Sequence, residues 1–324
     1  MPVMTYGEAI RDGLREMMRQ DERVYILGED VADYGGVYGI TKGLVDEFGK
    51  KRVKNTPLSE SAILGEAIGA AIYGLRPVAE IQFSDFMTTA FSMLIDVAAP
   101  YHFRLGTRVP MVVRAPTGGG LRIGPYHSKC TEGWYFHTPG LKIVTPSTPQ
   151  DAKGLLISSI EDEDPVLFFE HKKLYYETKE EVPPGLYRVP LGKAAIRREG
   201  KDVTVVTYGA TVSLALKASE TLHAEGIELE VVDLRTLVPL DEETMFASFR
   251  KTNRVILLHE AVRRGGVGAE LAAHICEKAF DALAAPPVRI GAKMTPVPVA
   301  PTLEDFFLPS AQEIIDAARK LVEY

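Results

Sequence analysis

Apolar and polar positions follow two rhythms along this chain. Tyr6, Ala9, Ile10, Leu14, Met17 and Met18 recur at helical spacing behind Thr5-Tyr6-Gly7-Glu8, which has the form of a capping box. VYIL (24–27) then reads as a buried strand that ends at Gly28-Glu29-Asp30. Further short apolar runs follow at VAEIQF (78–83), MVVR (111–114), LKIV (141–144) and VLFFE (166–170). Helical stretches at 61–75, 84–99 and 150–161 separate most of them, and Pro149 after Thr148 suits a helix start. Apolar strands alternating with helices predict a parallel sheet covered on both faces.

From Tyr175 to Gly200 the periodicity lapses around KEEVPPG, and this stretch reads as a linker. The alternation then resumes with DVTVVTYG (202–209), LEVVDL (229–234), RVILLHE (254–260), VRIG (288–291) and a last helix near 310–322. The fold class expected is α/β, with two domains, each a mostly parallel sheet flanked by helices. The boundaries expected are 1–185, a linker at 186–200, and a smaller domain at 201–324.

Composition narrows the setting. A chain of 324 residues exceeds what one core usually organises, and a net charge of −7 disfavours nucleic acid. Two cysteines without a CxxC motif suit a reducing compartment. No apolar run approaches the roughly 20 residues of a membrane span. No basic-then-apolar signal pattern opens the chain. A cytoplasmic protein with no membrane partner is expected.

The candidate chemistry starts at NTPLSESAILGEAIGAAIYG (55–74), where Glu60 and Glu66 are the only charges amid Ala, Ile, Leu and Gly. A segment apolar nearly all round is usually buried, and a buried carboxylate needs a partner or a raised pKa. Gly65 and Gly69 share one helix face and would admit another backbone. Ligands of open parallel sheets sit outside the carboxyl ends of strands. Glu29, Glu60, Gln82, Asp85 and Glu170-His171 fall there, each with a helix cap or surface charge as its plain alternative. The apolar surroundings of Glu60 favour function; Glu66 reads as a second member of the site or a hydrogen bond to a neighbouring chain. APTGGGLRIGPYHS (115–128) is a glycine-rich loop ending near His127, an acid–base candidate. His137 reads as a packed histidine. The chain has no GxxxxGK[ST], no complete dinucleotide fingerprint, no HExxH and no Cys/His zinc set.

LGEDV (27–31), GGVYGITKGL (35–44), NTPLSE (55–60), GLRPVAEIQF (74–83), PYHS (125–128), HTPGLKIVTPSTPQDAKGLL (137–156), EDEDPVLFFEHKKLY (161–175), VVDLRTLVPLD (231–241) and HEA (259–261) occur in that order. Together they resemble the beta subunit of the thiamine-diphosphate-dependent 2-oxo acid dehydrogenases, which include pyruvate, branched-chain 2-oxo acid and acetoin enzymes. The resemblance implies a pyrimidine-binding domain followed by a transketolase-like C-terminal domain. It makes Glu60 the carboxyl that shares a proton with the cofactor's aminopyrimidine ring. Glu29, Leu58, Ser59, Gln82 and Phe86 match positions around the cofactor. His127 matches a loop histidine implicated in acyl transfer to the lipoyl group.

This chain contains no GDG motif, and the resemblance implies that the diphosphate and its Mg²⁺ are held by a partner alpha subunit. The assembly implied is an α₂β₂ heterotetramer that docks to a lipoyl acyltransferase core. Some relatives hold a structural K⁺, which would place it at Met111, Ser159, Ile160, Asp162 and Asp164.

One stretch departs from the pattern. Many branched-chain members read close to FADYIFPAFDQ, where this chain has FSDFMTTAFSM (83–93); Pro100 and Lys129 stand where Lys and Gln are common. Phe86, Met87, Thr88 and Thr89, with His127, are the expected substrate pocket, so these differences bear on specificity. The reaction expected is decarboxylation of a 2-oxo acid such as pyruvate or a branched-chain acid, with reductive acylation of lipoyl groups. The alternatives are acetoin cleavage, a carboligase, or a non-catalytic paralogue.

Overall fold

The computed structural model describes residues 1–324, which divide into two compact units. The first comprises Met1–Thr117 and Trp134–Leu191, and the second comprises Gly118–Gly133 and Gly192–Tyr324. The glycine-rich segment after Thr117 therefore groups with the C-terminal half, although it lies in sequence between strands of the first sheet.

In the first unit six strands run parallel, in the spatial order Lys142–Val144, Val166–His171, Val112–Thr117, Arg76–Glu80, Val24–Gly28, Val53–Asn55. Each central strand is fully or nearly fully buried, as their unbroken apolar runs require. The helix Tyr6–Gln20 opens with the capping box: Glu8 N–H donates to Thr5 Oγ1 and Thr5 N–H donates to Glu8 Oε2. It packs against Pro149–Glu161, itself capped by Thr148. The chain leaves Val24–Gly28 toward one edge of the sheet and returns to Arg76–Glu80 on its other side. That reversal is the switch point at which open α/β sheets leave a crevice. Glu29 and Gln82 follow those two strands.

Two stretches differ from the sequence reading. Residues 84–99 do not form one α-helix: a 3₁₀ segment Ser84–Ala90 gives way to a π-helical stretch Met93–Ala98 and then to the α-helix Ala99–Leu105. Thr88 Oγ1 donates back to the carbonyl of Asp85 at 2.9 Å, and Thr89 Oγ1 lies 2.8 Å from the carbonyl of Phe86, so hydroxyls compete with helical pairing there. The expected linker also holds structure. Lys179–Glu181 pairs antiparallel with Val3–Thr5, and Ala195–Arg198 forms an antiparallel edge strand in the second unit.

The second unit carries a five-stranded sheet in the order Val288–Ala292, Val255–Val262, Val203–Thr207, Leu229–Asp233, Ala195–Arg198, parallel except at that last edge. The helices Thr211–His223 and Ala311–Val322 bury Ala215, Ala218, Leu222, Ile314, Ala318 and Leu321 against it. No helix of the chain is long and apolar enough to cross a membrane.

Candidate active site

Glu60 is the first residue of the helix Glu60–Ile72, preceded by Ser59 in an extended conformation that supplies no side-chain cap. Thr56 N–H donates to Gly28 O at 3.0 Å, which ties this turn to the end of the Val24–Gly28 strand. The Glu60 side chain is buried, with 9% exposure. Thr89 Oγ1 shares its one proton between Glu60 Oε2 at 2.9 Å and Phe86 O at 2.8 Å, while Ser61 Oγ donates to Thr89 O at 2.6 Å. The Glu60 and Ser61 bonds fasten the 3₁₀ segment to the start of the helix. Glu60 Oε1 takes no hydrogen bond from this chain. One carboxylate oxygen is thus oriented internally and the other remains available.

Glu29 completes an acidic pair. Burial raises its pKa above the ordinary carboxyl value, and the charges of Glu60, Asp30 and Glu80 raise it further. Two carboxyl groups at a switch point, one tuned toward protonation by burial and then by the other's charge, can exchange a proton with a basic ring nitrogen. Phe86 is half-buried, with its ring edge-on to Phe83 at 5.9 Å. Gln82 is half-buried, whereas Leu58, Ser59, Thr88 and Thr89 are exposed. Met87, expected beside them in the pocket, has no exposed surface. The 3₁₀ turn directs it into the core, so it does not line an open pocket in this chain.

Glu66 stands apart from the acidic pair. It is exposed and pairs with Lys54 Nζ at 2.8 Å. A Cβ at Gly65 or Gly69 would meet nothing within 4 Å, so that helix face is open in this chain. His137 is exposed rather than packed.

Beneath the acidic pair lies a network that joins Glu170, a candidate from the sequence, to two residues that sequence reasoning missed, Arg114 and Glu80. Arg114 is fully buried and forks onto Glu170, with Nε and Nη2 donating at 2.6 Å each, and it also donates to Glu80. Tyr175 Oη donates to Glu170 at 2.6 Å. Burial pushes the Glu80 pKa up, the Arg114 charge opposes it, and Glu170 adds to the rise. Burial works against the Arg114 cation, yet Glu170 and Glu80 hold its pKa above the ordinary arginine value. The sequence signal was a charge inside each apolar run, Arg114 in MVVR and Glu80 in VAEIQF. Gly28 pairs in register with Glu80, and a Cβ at Gly36 would collide with the Glu80 carboxylate. The turn after Glu29 therefore rests directly on this network.

The five residues expected around potassium have internal partners. Arg76 Nη1 donates to Ile160 O at 2.9 Å and to Asp162 O at 3.0 Å. Met111 O accepts from Val166 N–H, Ser159 Oγ donates to Leu155 O, and the Asp162 carboxylate accepts from Lys142. Asp164 pairs with His102 at 2.7 Å. The carbonyls of Met111, Ile160 and Asp162 thus each accept a hydrogen bond within the chain.

His127 belongs to the second unit, half-buried in the loop 118–133. Its N–H donates to Gly124 O at 3.3 Å.

Residues 3–178 match the pyrimidine binding domain of transketolase, and residues 192–314 match the transketolase C-terminal domain. A 2-oxoisovalerate dehydrogenase subunit beta from Bacillus subtilis (strain 168) is 48% identical over 327 residues, spanning 100% of both chains. The chain belongs to the beta subunits of the thiamine-diphosphate-dependent 2-oxo acid dehydrogenases. An acetoin:2,6-dichlorophenolindophenol oxidoreductase subunit beta of the same organism is 46% identical over 334 residues, covering 99% of this chain and 97% of that one. A solved structure, a split-gene transketolase described as an inactive beta4 tetramer, superposes with a TM-score of 0.81. It covers 99% of this chain and 98% of its own at 23% identity, a likeness of fold alone. Near-equal identity to a branched-chain and an acetoin enzyme leaves the family clear and the substrate open within this oxidoreductase class.

Proposed function

We propose that this beta subunit provides the pyrimidine half of a thiamine diphosphate site. With an alpha partner it would decarboxylate a 2-oxo acid and reductively acylate the lipoyl group of an acyltransferase. The observation that carries the reading is Glu60: a buried carboxylate at a helix N-terminus, one oxygen held by Thr89 and the other without a partner in the chain. The cofactor, when bound, supplies the electron sink for the decarboxylation. Glu60 holds a proton at the pyrimidine nitrogen, and Thr89 fixes the plane of that carboxylate. Glu29, with its raised pKa, lies close enough to Glu60 for their charges to interact. Leu58, Ser59, Gln82 and Phe86 surround the ring, and Thr88 and Thr89 border the substrate.

Mg²⁺ and the diphosphate belong to the alpha subunit on this reading, since no GDG motif occurs here. Exposed Leu58, Tyr73 and Phe103, at 78%, 92% and 97% exposure, and the open Gly65–Gly69 face suit an alpha partner in an α₂β₂ assembly. Two free cysteines suit a cytoplasmic enzyme. His127 serves acyl transfer to the lipoyl group.

The test is co-expression with an alpha subunit and assay of artificial-acceptor reduction, with thiamine diphosphate and Mg²⁺ present. Pyruvate, 2-oxoisovalerate, 2-oxobutyrate and acetoin form the panel. Turnover of an oxo acid supports the reading and names the substrate. Turnover of acetoin alone moves the chain to the sister activity. An assembled, cofactor-loaded complex that turns over none of them contradicts it.

A further inference from the structure

The loop 118–133 has its own fastening, built from carboxylates of the second unit. Gly118 N–H donates to Lys129 O at 3.2 Å, which brings the two feet of the loop together. Glu260 Oε1 then accepts from Gly119 N–H at 2.6 Å and from Cys130 Sγ at 3.5 Å, so one carboxylate oxygen binds both feet. Glu304 is fully buried on the helix Pro301–Phe307. Its Oε1 accepts from Gly120 N–H at 2.9 Å, and its Oε2 accepts from Arg122 N–H at 3.1 Å and from Arg122 Nη1 at 2.8 Å. Arg122 Nη2 donates to Asp305 at 2.6 Å.

The backbone makes this more than surface pairing. Arg122 has φ 62°, a left-handed conformation that non-glycine residues seldom adopt and hold only where their surroundings over-determine it. Here one buried carboxylate takes both its backbone N–H and its guanidinium. At Gly119 a Cβ would stand 3.3 Å from Glu304 Oε1 and 3.7 Å from Glu260 Oε1, so little room remains for any other residue. Gly124 adopts φ 75°, and a Cβ there would reach 2.8 Å from Val299 Cγ2. His127 follows three residues later.

We infer that Glu260 and Glu304 are positioning residues: they set the conformation of the glycine-rich loop and thereby the place of His127. The inference rests on the acyl-transfer reading of His127 above. Charge is the operative property, because a carboxylate accepts at both oxygens, whereas an amide of the same size presents N–H groups to the donors of Gly120 or Arg122.

The experiment uses the assembled complex with thiamine diphosphate and Mg²⁺ bound. In Glu304→Gln, hydrogen exchange at the Gly120 and Arg122 amides should rise at least tenfold, and trypsin should cut after Arg122 or Lys129 faster. Lipoyl acylation should fall at least tenfold more than artificial-acceptor reduction. Asp305→Asn removes only the exposed partner of Arg122 and should leave amide exchange within about twofold. If Glu304→Gln does not assemble, Glu260→Gln is read in the same way at Gly119. Unchanged exchange in the assembled variant overturns the inference. So does loosened exchange with an unchanged ratio of the two activities, provided that His127→Asn lowers that ratio. If His127→Asn leaves the ratio intact too, the acyl-transfer reading falls, and the positioning role falls with it.

Discussion

Thr89 Oγ1 lies 2.9 Å from Glu60 Oε2 and shares its one proton between that oxygen and Phe86 O, at a position where the FADYIFPAFDQ pattern of many branched-chain members carries proline. Proline has no side-chain donor, so this chain holds its central carboxylate by a bond that the pattern lacks. A hydrogen bond to a charged group contributes about 1.5–3 kcal/mol, and about 1.4 kcal/mol is tenfold. Thr89→Val is therefore expected to slow proton exchange at the reactive carbon of bound thiamine diphosphate by about ten- to a hundredfold. Thr89→Ser should preserve the rate, and Glu60→Gln should lower it by orders of magnitude while the complex still assembles. NMR of deuterium exchange in the loaded complex reads all three. A normal rate in Glu60→Gln removes that residue from its proposed role.

Glu29 predicts a pH dependence of definite sign. Burial, then the charges of Glu60, Asp30 and Glu80, raise its folded pKa above the ordinary 4.5. The folded chain therefore holds this proton where the unfolded chain has lost it, and ionisation disfavours the fold. The Glu29 contribution falls as pH rises from 4.5 through the raised folded value. Glu29→Gln should accordingly be more stable than the parent at pH 7, with the advantage shrinking toward pH 4. Urea midpoints at both pH values measure this. An advantage of equal size at pH 4 and pH 7 would assign the effect to packing rather than charge.

Arg114 serves two buried carboxylates at once, so its removal strands both. Breaking a buried ion pair from one side costs about 3–5 kcal/mol. Arg114→Met should therefore unfold at a much lower urea concentration or fail to accumulate as folded protein. Arg114→Lys should recover only part of the loss, since an ammonium cannot fork onto Glu170 as the guanidinium does. A lysine variant as stable as the parent would mean that the network needs only a positive charge.

What the sequence made legible was local. The capping box at Thr5, the Thr148-Pro149 helix start and the buried strands follow from patterns within a few residues, and the structure contains each of them. Glu60 stood out because its neighbours are apolar. The unread parts have partners far along the chain or compete locally with regular structure. Glu304 meets Arg122 across 182 residues, which no window of local pattern spans, and so the loop 118–133 was read with the strands beside it in sequence. Residues 84–98 look helical by composition, but threonine hydroxyls there bond back to the chain. Ala195–Arg198 is an edge strand with half-exposed residues, so it shows no apolar run. Glu66 is exposed because a helix apolar in composition still leaves one face open in this chain.

His259 sets an acid limit on the second unit. Its Nδ1 lies 3.0 Å from Ala261 O, to which it donates, leaving Nε2 as an acceptor with no partner in a buried position. Gly266, Gly268 and Gly291 close around the ring; a Cβ on any of them would come within 3.0 Å of it. Burial pushes the His259 pKa down from 6.5 to about 4. The folded unit thus keeps the imidazole neutral where the unfolded chain would protonate it. That contribution is fully present above pH 6.5 and is lost as pH falls toward 4, amounting to roughly 3 kcal/mol. His259→Gln removes the titration, so its stability should decline less steeply than the parent's between pH 6.5 and 4, even if it starts lower. Parallel declines in the two proteins across that window would show that another group carries the acid sensitivity.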